Sequence, residues 1–417
     1  MDGLRILSQE VGALEARLAG LQSFALHEPM VPAASPAPGA MAAIEHMVRR
    51  DRDEIVARIR AFRSWLGSSG FDGDPAAAQA KFSVLRIRSN TMLSDYEIFA
   101  AALTQRSEHT NGVWLAGLDV AATDALTLDG GYFEPPPLLC YLDRGFGAAI
   151  RRARTRLPGG KLNPVAVIRI PRERMVGSGI ASSLVHEAGH QGAALLGLVE
   201  SLRATLAGLA SAGGADGLAW TLWDRWISEI VADFWSVARL GMASALGMIA
   251  VVSLPRAFVF RVSSVDPHPA PWIRVALCCT AGQALYPHAD WLRLAAAWEE
   301  LYPLAGLSES QEEAFKQLRR TLPAFVNLLV EHRPRALGGV SLGEALRCSE
   351  VEPERLRHFY SNGRALTAQT ALALRPVAGF ALAAQARLDQ ALDPAGETKL
   401  IGALLRSWAL QRTWQAA

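Results

Sequence analysis

Cysteine is scarce in this chain. Four occur in 417 residues (Cys140, Cys278, Cys279 and Cys348), and none forms a CxxC pair. That counts against a disulfide framework and a cysteine zinc knuckle, and the expected setting is a reducing cytoplasm. An excess of one charge is also missing. Lys and Arg number 42 against 40 Asp and Glu, a formal net charge of +2. Such a balance offers no electrostatic footprint for nucleic acid or an anionic membrane. Long apolar runs are absent too. The longest, Leu240 to Leu254, lies between Arg239 and Pro255-Arg256, and it is shorter than the roughly 20 residues of a membrane span. It fits a buried helix. The opening MDGLRILSQEVGALEARLAGL carries acids early and lacks a basic end, so it reads as an amphipathic helix and not as a signal peptide. There is no glycine-rich phosphate loop, nucleophile elbow or dinucleotide fingerprint; GGYFEPPP and LPGG are turns. A soluble protein with no membrane span and no nucleic-acid partner is expected.

Hydrophobic residues make up 50% of the chain and charged residues 20%, a composition that builds a packed core and argues against disorder. Helical patterning covers residues 1–26 and 41–65, separated by the connector EPMVPAASPAPG, which cannot continue a helix. No chemistry is visible in this region. KFSVLRIRS (81–89) alternates like a half-buried strand, and NPVAVIRIP (163–171) is the strongest strand candidate. A long helix is expected from Gly177 to Leu202 and another from Trp220 onward. Beyond Ala281 the pattern is helical, with breaks near Pro303, Pro334 and Pro353. The expected class is α+β and predominantly helical, with a small sheet preceding a pair of long helices and a helical C-terminal region. The expected division is a helical N-terminal region (1–75), a central region with the sheet and the helix pair (76–290) and a helical C-terminal region (291–417).

The chemistry concentrates in His186-Glu187-Ala188-Gly189-His190. Positions i and i+4 share one helix face, so both imidazoles can converge on one ion. Glu187 stands beside them, where a carboxylate can take a proton from water that the metal has acidified. The motif follows a strand, lies within an apolar helix, and carries small residues where neighbouring segments must approach.

Two histidines do not complete a catalytic site, which normally has three protein ligands and one open position. WISEIVAD (226–233) holds two acids one turn apart on an otherwise apolar face. Buried carboxylates are costly unless they meet a metal or a donor. Glu229 is therefore the candidate third ligand, and Asp233 the group that accepts a histidine N–H and fixes its tautomer. The neighbouring tryptophans read as core, and His27, His46, His109, His288, His332 and His358 as isolated surface or core residues.

HEAGH followed about 40 residues later by EIVAD resembles the HExxH…ExxxD signature of the gluzincin zinc metallopeptidases, over roughly residues 160–280. The resemblance implies a zincin-like catalytic region acting on a peptide or protein substrate. It assigns zinc to His186, His190 and Glu229, the general base to Glu187 and the orienting carboxylate to Asp233. SSVDPHPAPWIR (263–274) is similar to a segment that follows the zinc ligands in some membrane-bound and soluble relatives. There a histidine and an arginine hold the substrate backbone and the oxyanion, which would fall on His268 and Arg274. A proline-stiffened loop that starts the next helix explains the same residues. The metal also stays open. Two histidines and a carboxylate describe the non-haem iron triad of 2-oxoglutarate-dependent peptide hydroxylases as well as a zinc site. A metal-binding protein without turnover is a third reading, and Glu187 argues against it, because metal binding alone needs no base.

Overall fold

The computed structural model describes residues 2–145, 147–175, 177–212, 214, 216–263, 266–361 and 366–416. The described residues are predominantly helical with one three-stranded sheet, the α+β class expected. It forms two compact units. One comprises Met1–Leu115, Pro136–Tyr141 and Arg151–Val167, the other Ala116–Pro135, Leu142–Ile150 and Ile168–Ala417.

The first unit contains the helices α1 (Gly3–Ala19), α2 (Phe24–His27), α3 (Pro38–Leu66) and α4 (Pro75–Leu103), and the start of α5 (His109–Leu126). Asp2 caps α1 by accepting the Arg5 N–H, and Asp74 caps α4 by accepting those of Ala76 and Ala77, with Pro75 as first helical residue. KFSVLRIRS (81–89) lies inside α4, and this overturns the strand expected there. Phe82, Leu85, Ser89 and Met92 are buried at helical spacing, while Val84 and Ile87 face outward. The 3.6-residue period of a 29-residue helix prevails over a short β-branched alternation.

The sheet runs in the order β1 (Leu138–Asp143), β3 (Ala166–Pro171), β2 (Ala149–Arg151). β3 falls within the strand expected from NPVAVIRIP.

The second unit is helical. α6 (Ser178–Leu196) ends at Gly197, where a left-handed φ of 62° turns the chain by 80° into α7 (Leu198–Ser211). The single helix expected over Gly177–Leu202 is thus two, and glycine is the residue that takes such a turn without Cβ strain. Next come α8 (Gly217–Leu240), α9 (Met242–Val252), α10 (Arg256–Val259) and α11 (Pro271–Leu285), followed by α12 (Ala289–Leu301) and α13 (Glu309–Glu331). The short α14 (Leu342–Leu346), α15 (Pro353–Arg357) and α16 (Ala368–Ala371) lead to α17 (Pro376–Leu388) and α18 (Pro394–Ala416). α8 is the central element, packed by α6, α7, α9, α11, α13 and α17. Its Trp223 stacks on Phe325 with ring centroids 4.5 Å apart and donates to Thr321 Oγ1, and Trp226 and Trp235 are likewise buried in the core. Among the described residues no single helix is long and apolar enough to cross a membrane, and the most apolar, α9, is mostly buried.

Two glycines set the spacing of α6 against α8. A Cβ on Gly189 would come within 2.9 Å of Trp235 Cβ, and one on Gly192 within 2.3 Å of the Trp235 ring. Only a bare backbone allows this approach. Gly247 does the same for α9, since its Cβ would meet Ser182 Cβ at 2.3 Å, one turn before His186.

Candidate metal centre

The close approach of α6 and α8 brings four of the expected residues together. His186 and His190 stand one turn apart on α6, their ring centroids 4.8 Å apart. From α8, Glu229 reaches between them: its Oε2 lies 3.4 Å from His186 Nε2 and 3.6 Å from His190 Nε2. Donor atoms bound tetrahedrally at about 2.0–2.1 Å from zinc stand roughly 3.3–3.4 Å from one another. The observed spacings match that edge closely enough to need only side-chain adjustment. Glu229 Oε2 is also buried and makes no hydrogen bond of good geometry, a costly state for a carboxylate oxygen unless a cation meets it. His186, His190 and Glu229 are therefore a donor set that fits a divalent ion.

No known protein family, curated protein or solved structure matches this chain.

A second layer of contacts orients the first. Asp233 is fully buried, with Oδ1 2.8 Å from His186 Nδ1, a contact close but off the line of a good hydrogen bond. Arg274, on α11, donates from Nε to Asp233 Oδ2 and from Nη2 to Oδ1, both at 2.7 Å. This bidentate pair keeps Asp233 ionised. Burial pushes its carboxyl up, but Arg274 and then His186 outweigh that and hold it at about 2. His186 is pulled both ways. Burial lowers it, while the charge of Asp233 and its contact with Glu229 raise it to about 9. In Glu229 burial also raises the carboxyl, and the two imidazoles prevail, holding it well below the usual range. Glu187 is the exception. Burial raises its carboxyl above the ordinary value despite the neighbouring imidazoles.

His268 and Arg274 both reach this region. His268 is half-exposed, and its Nε2 lies 3.2 Å from Glu229 Oε2. Its other ring nitrogen, Nδ1, is 2.7 Å from Asp266 Oδ1, which also accepts the His268 backbone N–H at 3.0 Å. Within the segment 263–274 that carries them, Ser264 and Val265 lie outside the described residues. Asp266 was not among the expected site residues. Its signal is the Asp-Pro-His spacing, in which an Asp side chain folds back onto the amide two residues on.

Glu187, His186, His268 and Arg274 line a cleft of about 810 Å³, toward the upper end of the roughly 300–1,000 Å³ typical of ligand sites. Ser182 and Ser183 of α6 also line it, with the apolar Met248, Ala250, Val251, Val252 and Leu254.

The start of α6 is fixed from far along the chain. Ser178 Oγ donates to Oε1 of the buried Glu397, on α18, and Arg387 Nε lies 2.9 Å from the other carboxylate oxygen. Gly177 has φ 60°, and a Cβ there would meet Glu397 Oε2 at 2.8 Å. The carboxylate thus sits against the positive end of the helix that carries His186 and His190.

Proposed function

We propose that this protein is a metal-dependent hydrolase, a zinc metallopeptidase acting on peptide or protein substrates. The observation that carries this reading is a buried Glu229 oxygen that makes no well-aligned hydrogen bond and lies between two imidazole nitrogens, with His186 and Glu187 in the wall of a cleft. A divalent ion bound there supplies Lewis acidity, polarising a substrate carbonyl and making water acidic near neutral pH. The chain does the rest. The Glu187 carboxylate accepts the water's proton and returns it to the departing amine, a role helped by burial that raises it toward the working pH. Asp233 keeps the proton of His186 on Nδ1, leaving the Nε2 lone pair for the metal. Arg274 acts through Asp233 by keeping it charged. His268, at the cleft wall, offers an N–H toward the charge that develops on the carbonyl oxygen.

The test is metal analysis of protein purified without added metal, joined to cleavage of a quenched fluorescent peptide library. The expected result is zinc, turnover without oxygen, and loss of activity on chelation that zinc restores. Glu187→Gln should keep the metal while kcat falls by about 10²–10⁴. Iron in the purified protein, with turnover only on adding 2-oxoglutarate and air, would replace the peptidase by a hydroxylase at the same centre.

A further inference from the structure

Along α6 the cleft follows one face of the helix. Gly179, Ser182, Ser183, His186 and Glu187 line it, at the spacings of three and four that make neighbours on a helix surface. At 1.5 Å per residue, the stretch from His186 back to Gly179 measures about 10 Å, room for about three residues of extended chain. Ser182 is the polar group that the fold leaves unused on this stretch. It is 5% exposed, so bulk water reaches little of it. Serines inside helices often return their hydroxyl to the carbonyl four residues back, as Ser83, Ser94, Ser211 and Ser253 do in this chain. Ser182 makes no such bond, and no other partner meets it among the described residues. On its far side α9 closes in, where a Cβ on Gly247 would stand 3.0 Å from Ser182 Oγ. A buried hydroxyl without a partner in a cleft wall is a costly group, and the polar atom of a ligand relieves it.

The charges in the lining set the sign of that ligand. Arg274 is committed to Asp233 by its two bonds of 2.7 Å. Asp266 faces His268 and Arg261, and Glu187 stands beside the metal ligands. Glu173 is different. It lies exposed in the short turn Arg172–Arg174 that follows β3, and it forms no ion pair or hydrogen bond among the described residues. The cleft therefore presents an uncommitted carboxylate and, among the described residues, no uncommitted guanidinium or ammonium. Such a lining favours a cationic ligand over an anionic one.

Building on the peptidase reading of the same centre, we propose that the substrate is a peptide segment with a lysine or arginine side chain that pairs with Glu173. The segment runs from the metal back along α6, and the Ser182 hydroxyl donates to one of its main-chain carbonyls. Ser182 positions the chain and Glu173 selects it. A hydroxyl bonds any main chain alike, so the two contributions are separable: removing Ser182 Oγ lowers affinity for every peptide, and altering Glu173 changes which peptide is preferred.

The test separates binding from cleavage. Full-length Glu187→Gln protein loaded with zinc is titrated with decapeptides that carry an uncharged fluorophore, read by anisotropy. Each peptide is acetylated and amidated and bears a single Lys, Gln or Glu, moved along an Ala-Ser background. The best Lys peptide should bind about threefold to fivefold more tightly than its Gln counterpart, with the Glu peptide weakest. Raising the salt to about 0.5 M should shrink that order. Glu173 is exposed, so substitutions there are expected to fold. Adding Glu173→Gln should erase the preference, and Glu173→Lys should invert it toward the Glu peptide. Adding Ser182→Ala should weaken all peptides about twofold to tenfold and keep the Lys preference. It should also leave zinc content and thermal midpoint unchanged, because the hydroxyl has no partner in the free protein. A Lys preference that survives Glu173→Lys, equal binding of Lys and Glu peptides, or full affinity in Ser182→Ala would overturn the proposal. Binding only by peptides with a free α-amino group would overturn it in favour of a chain terminus. Cleavage by the unaltered protein is measured on the same peptides. Lys-selective binding without cleavage would count against the peptidase and leave the pairing with Glu173 standing, and cleavage without charge preference would do the reverse.

Discussion

Zinc uptake by the metal-free protein should expel a proton, and the proton should come from His186. Asp233 and Glu229 hold this imidazole up at about 9 although burial alone would lower it. Near neutral pH the ring in the free site is therefore mainly the imidazolium. A metal needs the neutral ring, so binding must displace the proton, and apparent affinity should rise about tenfold per pH unit from about 7 to 9. The sign for stability follows from the same shift. A raised histidine stabilises the metal-free fold fully below its ordinary value of 6.5, and this contribution fades as pH rises through about 9. Calorimetric titration of zinc at about pH 7.5, in two buffers of different ionisation enthalpy, counts the released protons. The expected count is close to one per ion. Asp233→Asn removes the main raising charge and leaves burial to lower the ring, so its count should fall toward zero. Identical heats in both buffers for the unaltered protein would refute the assignment of the proton to this centre.

His186→Ala and His190→Ala should each abolish tight zinc binding by inductively coupled plasma analysis, because two remaining ligands do not hold the ion near neutral pH. Glu229→Ala should lose far more zinc affinity than Asp233→Ala, for which a loss of about 10–100-fold is expected in competition with a chelating dye; the opposite order would exchange their roles. Arg274→Ala strands the buried Asp233 carboxylate and should lower stability to urea by about 3–5 kcal/mol, with Arg274→Lys rescuing little because an ammonium cannot make the bidentate contact. Gly192→Ala drives a methyl into the Trp235 ring and should lower stability by about 1–3 kcal/mol while the metal ligands remain intact.

The parts of the site that follow from local geometry were legible in the sequence. A four-residue spacing on a helix puts His186 with His190, and Glu229 with Asp233, on shared faces whatever the rest of the chain does. Ala188 and Gly189 also signalled the close helix contact, which is made against α8. What periodicity cannot encode is the pairing across elements. The bond from Arg274 to Asp233 joins positions 41 residues apart, and the contact of His268 with Glu229 depends on the path of an irregular loop. The strand expected at KFSVLRIRS shows the complementary limit. Nine residues alternate convincingly in isolation, but the helical stripe from Ala78 through Phe99 only emerges over a longer window. Gly197 was visible as a residue but not as a break, since a glycine inside an apolar helical run is often tolerated.

The bond from Ser178 to Glu397 has a consequence for how the centre matures. The two residues are 219 positions apart, so at ordinary synthesis rates of about 5–20 residues per second, α18 follows α6 by on the order of 10–40 s. Throughout that interval the ligand-bearing helix has emerged while the carboxylate that braces its first turn does not yet exist. The first turn of the helix that carries His186 and His190 thus gains this partner only after nearly the whole chain has been made.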